Sequence, residues 1–460
     1  MKVNTEHSKY SKFAPFWQRM RDAAEGEDTI KQKGEVYLPV PPGLNVTAQS
    51  ADYQNYKSRA RYPETVGPAI EGMVGLMNRK LNPPELPGSL QYLLNDATPD
   101  GLSLFDLRNR IWHEVCTVGR YILFVDVPTD GGKPYIATYP AESVINWKTD
   151  GERTTLIVFA EVVDEPDPVD MFKTKEVEQW RVAAIVNEVD DNGEPTGRER
   201  YAVQIWRRQE AKEDEFIKVE ETFPTRKGKP MDYVPAVFVG SRDITPEPDA
   251  IPLLGVANKS LHYYRQYADY AMQLFMCANG TTPYVFGTES PPQSVGPTTV
   301  IHSESEGASA GYLEVSGTGL EAQKSELENI KSEIAFATVR VLGDNKAAEA
   351  AETLRLRFQS QTATLTSISK STAAGLETAL RMCAEWLGAN PDEIEVPAEA
   401  EFISEQADAQ LITALYDGIE RGFVPDQLLI DYLKQVELHN MQPEDYRKWM
   451  PAAMRLEDAE

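Results

Sequence analysis

Apolar positions along this chain change their period several times, and each change marks a different kind of element. Phe13, Phe16, Trp17 and Met20 fall at helical spacing and predict a short amphipathic helix within residues 1–35, closed by the acidic turn Glu25–Asp28. Pro39–Gly43 reads as a linker-like break. Helical patterning returns over Ala51–Lys80: Tyr53 and Tyr56 precede the basic Lys57, Arg59 and Arg61, then Val66, Ile70, Val74 and Leu76 carry the stripe, and Pro83, Pro84 and Pro87 stop it. Leu102–Gly119 predicts another helix, with Ser103 as N-cap and Asp106 three residues on, a variant of the capping box. From Tyr121 the period drops to two. Tyr121–Val127 and Pro134–Tyr139 predict strands around the turn Asp130-Gly131-Gly132, and Pro140–Trp147 is a short turn into further strands. Thr154–Val163, Val177–Val186, Tyr201–Arg207 and Phe216–Val219 predict a meander with acidic intervals, and Val234–Gly240 closes the region.

The second half is helical. Ile251–Ala278 predicts a helix dense in aromatic residues (Tyr263, Tyr264, Tyr267, Tyr270, Phe275), capped by Asn279-Gly280. Thr281–Gly317 reads as a β-rich excursion with Pro283, Pro291, Pro292 and Pro297. In the next helix Leu320, Leu327, Ile334 and Val341 recur every seven residues, and Gly343-Asp344-Asn345 breaks it. A long helix from Ala351 to Leu387 carries a stripe through Leu354, Phe358, Leu365, Ile368, Ala379, Met382 and Trp386. Gln361, Thr372 and Gly375 interrupt that stripe and are expected to permit a bend. The strongly acidic stretch 391–460 predicts helices at Ser404–Arg421, Asp426–Val436 and Glu444–Met454. Each helix of this half carries a narrow apolar stripe that must be buried against something, which points to assembly with copies of the same chain.

Length and charge narrow the function classes. A chain of 460 residues exceeds one ordinary core. It holds no apolar run of about 20 residues, which argues against a membrane span, and its first residues lack the apolar stretch of a signal peptide. Cys116, Cys277 and Cys383 are sparse and far apart, the pattern of reduced, mostly buried thiols in a cytosolic product. With 46 basic and 72 acidic residues the net charge is −26. That argues against a protein that grips nucleic acid by its phosphates, since each gripped phosphate needs a local cation. It leaves either a plain soluble acidic surface or one past which a polyanion slides without adhering.

Candidate chemistry is thin. Gly317-Thr-Gly319-Leu-Glu-Ala322 matches a dinucleotide fingerprint, but no second strand and terminal acid follow, so a sharp strand-to-helix turn is expected. His113-Glu114 is half of a zinc-protease motif whose second ligand position is Thr117. The Ser/Thr-rich stretch Thr362–Thr372 has neither a nucleophile elbow nor a nearby histidine. Nothing resembles a phosphate-binding loop. No catalytic, cofactor-binding or metal-ligating residue is therefore assigned, and no enzyme activity is expected. The aromatic residues of 251–278 could stack bases, but only Lys259 and Arg265 accompany them, and core or subunit packing is the simpler reading. Lys324 and Lys331 share one helix face, either as a solvated surface or as a lane of cations along a channel.

Several ordered stretches together resemble the bacteriophage portal proteins, in the branch found among many tailed phages. They are Trp17–Asp28 (WQRMRDAAEGED), Gly72–Lys80 (GMVGLMNRK), Tyr139–Trp147 (YPAESVINW) and Pro235–Gly240 (PAVFVG). They continue with Tyr263–Tyr270 and Phe275, and with Gly311–Ala322 (GYLEVSGTGLEA). The acidic interval 188–221 departs from the more basic loops of that family.

The resemblance implies an α+β portal fold and a ring subunit, typically one of twelve, at the unique capsid vertex. Residues 1–250 would be an α/β wing, 251–278 and 319–342 two stem helices, and 279–318 a small β-rich clip. Residues 343–350 would be a tunnel loop, 351–390 a long kinked wing and tunnel helix, and 391–460 a helical crown. It implies subunit contacts through Leu320, Leu327, Ile334 and Val341, stem residues Lys324 and Lys331 facing the channel, and a tunnel loop bearing Asp344, Asn345 and Lys346. Pro291, Pro292 and Pro297 would lie in the clip, where terminase docks during packaging and the head–tail adaptor afterwards. Further implied partners are the major capsid protein and double-stranded DNA that passes without sequence-specific binding. No cofactor or membrane is implied; the protein would be made in the host cytoplasm and end in the virion. The alternative is another head–tail structural or adaptor component of the virion.

Overall fold

The computed structural model describes residues 2–41, 47–279 (apart from 80, 129–130, 152, 168, 190–194 and 210–211), 282–287, 306–313, 317, 319–342, 351–398, 409–421, 428–429 and 432–433. Met1–Ala400 form one unit and Glu401–Glu460 a second.

Helix α1 (Ser8–Glu25) begins at His7, whose ring nitrogen accepts the Lys9 N–H at 3.2 Å. It buries Trp17, Met20 and Ala23. Arg21 on its other side donates to both oxygens of Glu114 (2.9 and 2.6 Å) and of Glu142 (2.9 and 3.1 Å), forked bonds that fix the helix laterally. Gly26, at φ 110°, turns the chain into α2 (Glu27–Gln32).

The single helix expected over 51–80 is two helices, α3 (Ala51–Arg59) and α4 (Val66–Met77). Pro63 explains the break: it has no N–H to continue the ladder and disfavours helical backbone at Tyr62. Glu27 accepts the Tyr62 N–H instead, at 2.9 Å. Helix α5 (Leu104–Val118) has the ends that the sequence predicts. Ser103 Oγ accepts the Asp106 N–H at 3.1 Å, and Gly119 closes the helix in the left-handed region at φ 77°.

Two antiparallel sheets follow. Strands β1 (Arg120–Asp126) and β2 (Tyr135–Pro140) form the first hairpin. A meander then runs through β3 (Val144–Asp150), β4 (Arg153–Pro166), β5 (Thr174–Val189), β6 (Pro195–Gln209) and β7 (Lys212–Thr222), each paired with the next. After the short pair β8 (Thr225–Arg226) and β9 (Lys229–Pro230), β10 (Ala236–Gly240) leaves the meander. It joins the free edge of β1, with Ile122 opposite Phe238, to give the order β10-β1-β2. One core lies between the sheets: Ile122, Phe124 and Phe238 meet Trp147, Ile157, Phe159 and Val203. The Phe124 and Phe159 rings meet edge to face at 5.3 Å. Alternation sends Val158, Trp180, Val182 and Ala184 to the other face of the meander, where Phe216 covers Trp180 at 5.0 Å. Arg120 is buried against the faces of Trp147 (4.1 Å) and Phe238 (4.8 Å).

The helical run begins with α6 (Leu254–Asn279), passes through the hairpin β11 (Thr282–Phe286) and β12 (Ser309–Leu313), and returns as α7 (Leu320–Leu342). The 37-residue α8 (Ala351–Leu387) follows as one uninterrupted α-helix and packs across β10, β1 and α5. Gly375 is therefore explained by close approach: a Cβ there would lie 2.5 Å from Val239 Cγ2. Residues 391–398 remain with the first unit, where Glu85 and Glu395 exchange backbone hydrogen bonds at 2.9 and 3.2 Å. In the second unit the helix expected over 404–421 is present as α9 (Ala409–Glu420). The helix expected at Glu444–Met454 and most of the one at Asp426–Val436 lie outside the described residues.

Gly375→Ala is expected to destabilise the first unit by about 1–3 kcal/mol through overpacking against Val239. Chemical denaturation monitored by tryptophan fluorescence measures this, and unchanged stability would show that the helix does not sit so closely on β10.

Candidate assembly surface

Helices α6 and α7 run antiparallel and pack along their length. On α6 the buried positions are Val256, Ala257, Leu261, Tyr264 and Ala268; on α7 they are Leu327, Ile330 and Ile334. A Lys259–Glu333 ion pair ties the outer edges. The seven-residue stripe is thus real, but this chain itself covers it. Leu327 is 6% exposed and Ile334 2% exposed within a single copy. These two side chains, expected at a subunit contact, are thus buried within a single copy: a heptad stripe marks a buried face and does not say whether a sister helix or a neighbouring helix of the same chain buries it. Leu320 is half-buried, and the Val341 side chain lies outside the described ones.

Lys324 and Lys331 are both exposed on the outer face of α7, among Glu321, Glu326, Glu328 and Glu333, all exposed as well. The proposed loop residues Asp344, Asn345 and Lys346 and the clip residues Pro291, Pro292 and Pro297 lie outside the described residues.

The aromatic residues of α6 hold the helix to the N-terminal shell. Tyr264 is buried and meets Tyr62 edge to face at 6.3 Å. Tyr56 donates to Asp269 at 2.6 Å; burial first, then this bond, pushes the Tyr56 hydroxyl far above its ordinary range. Arg265 Nε donates to the Tyr37 carbonyl at 2.8 Å, and the Arg59 guanidinium lies 3.8 Å from the Phe275 ring centroid. Tyr263 and Tyr267 stack on each other at 5.8 Å. These rings are engaged with one another and with α3, the packing use that their scarcity of cations predicts.

What remains outside is apolar in places. Leu274, Phe275 and Met276 are exposed in the last turns of α6, Phe286 is exposed at the end of β11, and Phe336 is exposed on α7. A second exposed set, absent from the sequence reading, sits at the tip between β4 and β5. Val169 is 94% exposed, Met171 85% and Phe172 89%. A cleft of about 1050 Å³ opens at the end of the meander, between β1, β6, β7 and Trp386 of α8.

The sequence motifs resolve simply. At the start of α7 the Leu320 N–H donates to the Gly317 carbonyl at 3.0 Å, and β12 pairs antiparallel with β11; residues 314–316 and 318 lie outside the described residues. The described pairing is antiparallel, unlike the parallel pairing of a nucleotide-binding unit. His113 faces Glu71 at 3.4 Å on the surface. Among the described residues no group of three His, Cys, Asp or Glu could hold a metal ion, and no helix is long and apolar enough to cross a membrane. None of the three cysteines is in a disulfide; Cys116 and Cys383 are buried, and burial pushes the Cys383 thiol up to about 12.

Comparison with known families matches residues 252–387, the run α6 to α8, to a family described as a domain of unknown function (DUF4055). No curated protein matches the chain. Among solved structures, the chain is similar to one in the virion of a native gene transfer agent (GTA) particle, at 12% identity and a TM-score of 0.35, covering 86% of this chain and 94% of that one. It is also similar to one in the neck of an empty GTA particle, at 11% identity and a TM-score of 0.37, covering 87% and 97%.

Truncation separates the inner from the outer face of α7. Leu327→Ala is expected to cost about 2–5 kcal/mol of stability through cavity formation, whereas Lys324→Ala and Lys331→Ala should stay within about 0.5 kcal/mol. Equal effects in thermal unfolding would contradict the assignment of the two faces.

Proposed function

We propose that this chain is a portal subunit: copies of it close into a ring at one vertex of a phage-like capsid, and the genome passes through the hole. The observation that carries the reading is the run α6–β11–β12–α7–α8. An antiparallel helix pair is closed at one end by a small β-hairpin and continued at the other into a 37-residue helix. The ordered sequence stretches that resemble portal proteins span the same run and the wing before it. At 1.5 Å per residue α6 is about 39 Å long and α7 about 35 Å, the proportions of a stem.

In this reading α6 and α7 are the stem, residues 279–318 the clip that meets terminase and later the head–tail adaptor, and 343–350 the tunnel loop. Residues 351–390 run along the channel, residues 1–250 form the wing toward the capsid protein, and 391–460 form the crown. The stem's inner stripe being occupied, sister copies would meet through outer surfaces such as Leu274, Phe275, Met276 and Phe336, all exposed. A channel for DNA must not bind it well, because each phosphate contact adds affinity and therefore friction. The acidic outer face of α7 with only Lys324 and Lys331 described among its exposed cations fits that requirement. The packaging ATPase would be a separate chain.

Negative-stain images of the purified chain test the proposal. Rings of about twelve copies with a central hole are expected, and a uniformly monomeric species at high concentration under every salt condition would refute it. Replacing Lys324 and Lys331 together by Glu is expected to leave ring formation intact and to alter the rate of genome packaging; unchanged packaging would remove these lysines from the channel wall.

A further inference from the structure

The net charge of this chain is −26, and many of its arginines have a carboxylate to match. Arg21 meets Glu114 and Glu142, Arg110 meets Asp100, Arg181 meets Glu161, and Arg226 meets Glu385. Two arginines depart from that pattern and face the same space. A cleft of about 600 Å³ lies where α1, the turn after α2 and α6 come together. Its wall carries Arg19, Lys33 and Arg265, one cation from each of those three places.

Neither arginine is neutralised. Arg19 Nη1 donates to the Asn258 side-chain oxygen at 2.9 Å, and its guanidinium carbon lies 5.6 Å from the Phe16 ring centroid. Arg265 uses Nε on the Tyr37 carbonyl at 2.8 Å. Among the described residues neither guanidinium has an ion-pair partner. Asp22 is the one acid among the described residues of the wall, and it is committed already. Its Oδ2 accepts the Tyr37 hydroxyl at 2.6 Å, and its Oδ1 accepts Gln18 Nε2 at 2.8 Å and faces Lys33 Nζ at 3.7 Å. Asp269, one turn beyond Arg265 on α6, is likewise held by Tyr56. Three cations against one carboxylate leave the wall two positive charges in excess.

These cations are within reach of solvent. Lys33 and Arg265 are exposed and Arg19 is half-buried, while Asp22 is buried. A guanidinium carries its N–H donors in a fixed fork, and one bond each aims the forks of Arg19 and Arg265 without using up their donors. Two forks and an ammonium, set on separate elements, suit an anion with more than two oxygens, which favours phosphate over carboxylate. A cleft walled by one sign of charge also concentrates the field that draws such an anion in, on a protein whose net charge otherwise repels it. The volume admits a free phosphate with its water or an ester that carries one. We propose that this cleft binds a phosphate group, held by Arg19 of α1, Lys33 of the turn after α2 and Arg265 of α6. The site is independent of the ring reading above. Once filled, it ties α1 and the turn after α2 to the helix that α7 packs against.

Isothermal titration calorimetry of the full chain with inorganic phosphate tests the site, at an ionic strength held constant with sodium chloride. A saturable isotherm is expected, with the thermal unfolding midpoint rising as phosphate is added. Arg265→Gln is expected to weaken binding about tenfold or more through the loss of charge-assisted hydrogen bonds. Lys33→Gln spares the Arg265–Tyr37 contact and is expected to weaken binding too; it decides the matter should Arg265→Gln fail to fold. Lys148→Gln removes an exposed cation of β3 outside the cleft and is expected to change nothing. Phenyl phosphate in place of the inorganic ion distinguishes the source. Tighter binding of the ester assigns the site to a phosphate carried on a larger molecule, and weaker binding assigns it to the free ion. No saturation with either probe, or binding that Arg265→Gln and Lys33→Gln leave unchanged, would overturn the inference.

Discussion

The packing of α7 against α6 sets what every other surface can do. Leu327, Ile330 and Ile334 lose their water to a helix of the same chain, and α6 is in turn held to the N-terminal shell by Tyr56–Asp269, Arg265–Tyr37 and the buried Tyr264. Burial of side chains of this size stabilises by about 1.5–3 kcal/mol each, so the pair is a fixed rod and not a loose element awaiting a partner. In the proposed ring, sister copies would meet through what the rod and the sheets leave outside, such as the last turns of α6, Phe286 and Phe336.

Charge works in the same direction. A net charge of −26 makes unselective association of copies unfavourable at long range and keeps a duplex from adhering to the surface. In the proposed ring, contacts between copies would therefore be local and apolar, or matched donor to acceptor. Leu274, Phe275 and Met276 in the last turns of α6 are among the exposed large apolar residues that such contacts would cover.

Much of the fold is legible in the sequence because its signals are local. Ser103 with Asp106 and the left-handed Gly119 bound α5 as expected, and the period-two runs from Tyr121 onward are the strands of two sheets. The break at Tyr62-Pro63 was equally local and is a matter of one missing N–H. The rest depends on partners distant in sequence. Nothing in the spacing of Leu327 and Ile334 distinguishes a sister helix from α6. Gly375 looks like a flaw in an apolar stripe until Val239 is seen beneath it. Val169, Met171 and Phe172 fall in an acidic interval between strands, and only the end of pairing at Phe159 and Gln179 reveals that they stand clear of the sheet.

In the proposed ring, sister copies cover outer apolar side chains and not the stripe inside the helix pair. Hydroxyl-radical footprinting of dilute and assembled protein measures this residue by residue. Phe275 and Met276 are expected to lose reactivity on assembly while Leu327 and Ile334 stay protected in both states. Reactive Leu327 and Ile334 in the dilute chain that become protected only on assembly, with Phe275 and Met276 unchanged, would contradict it.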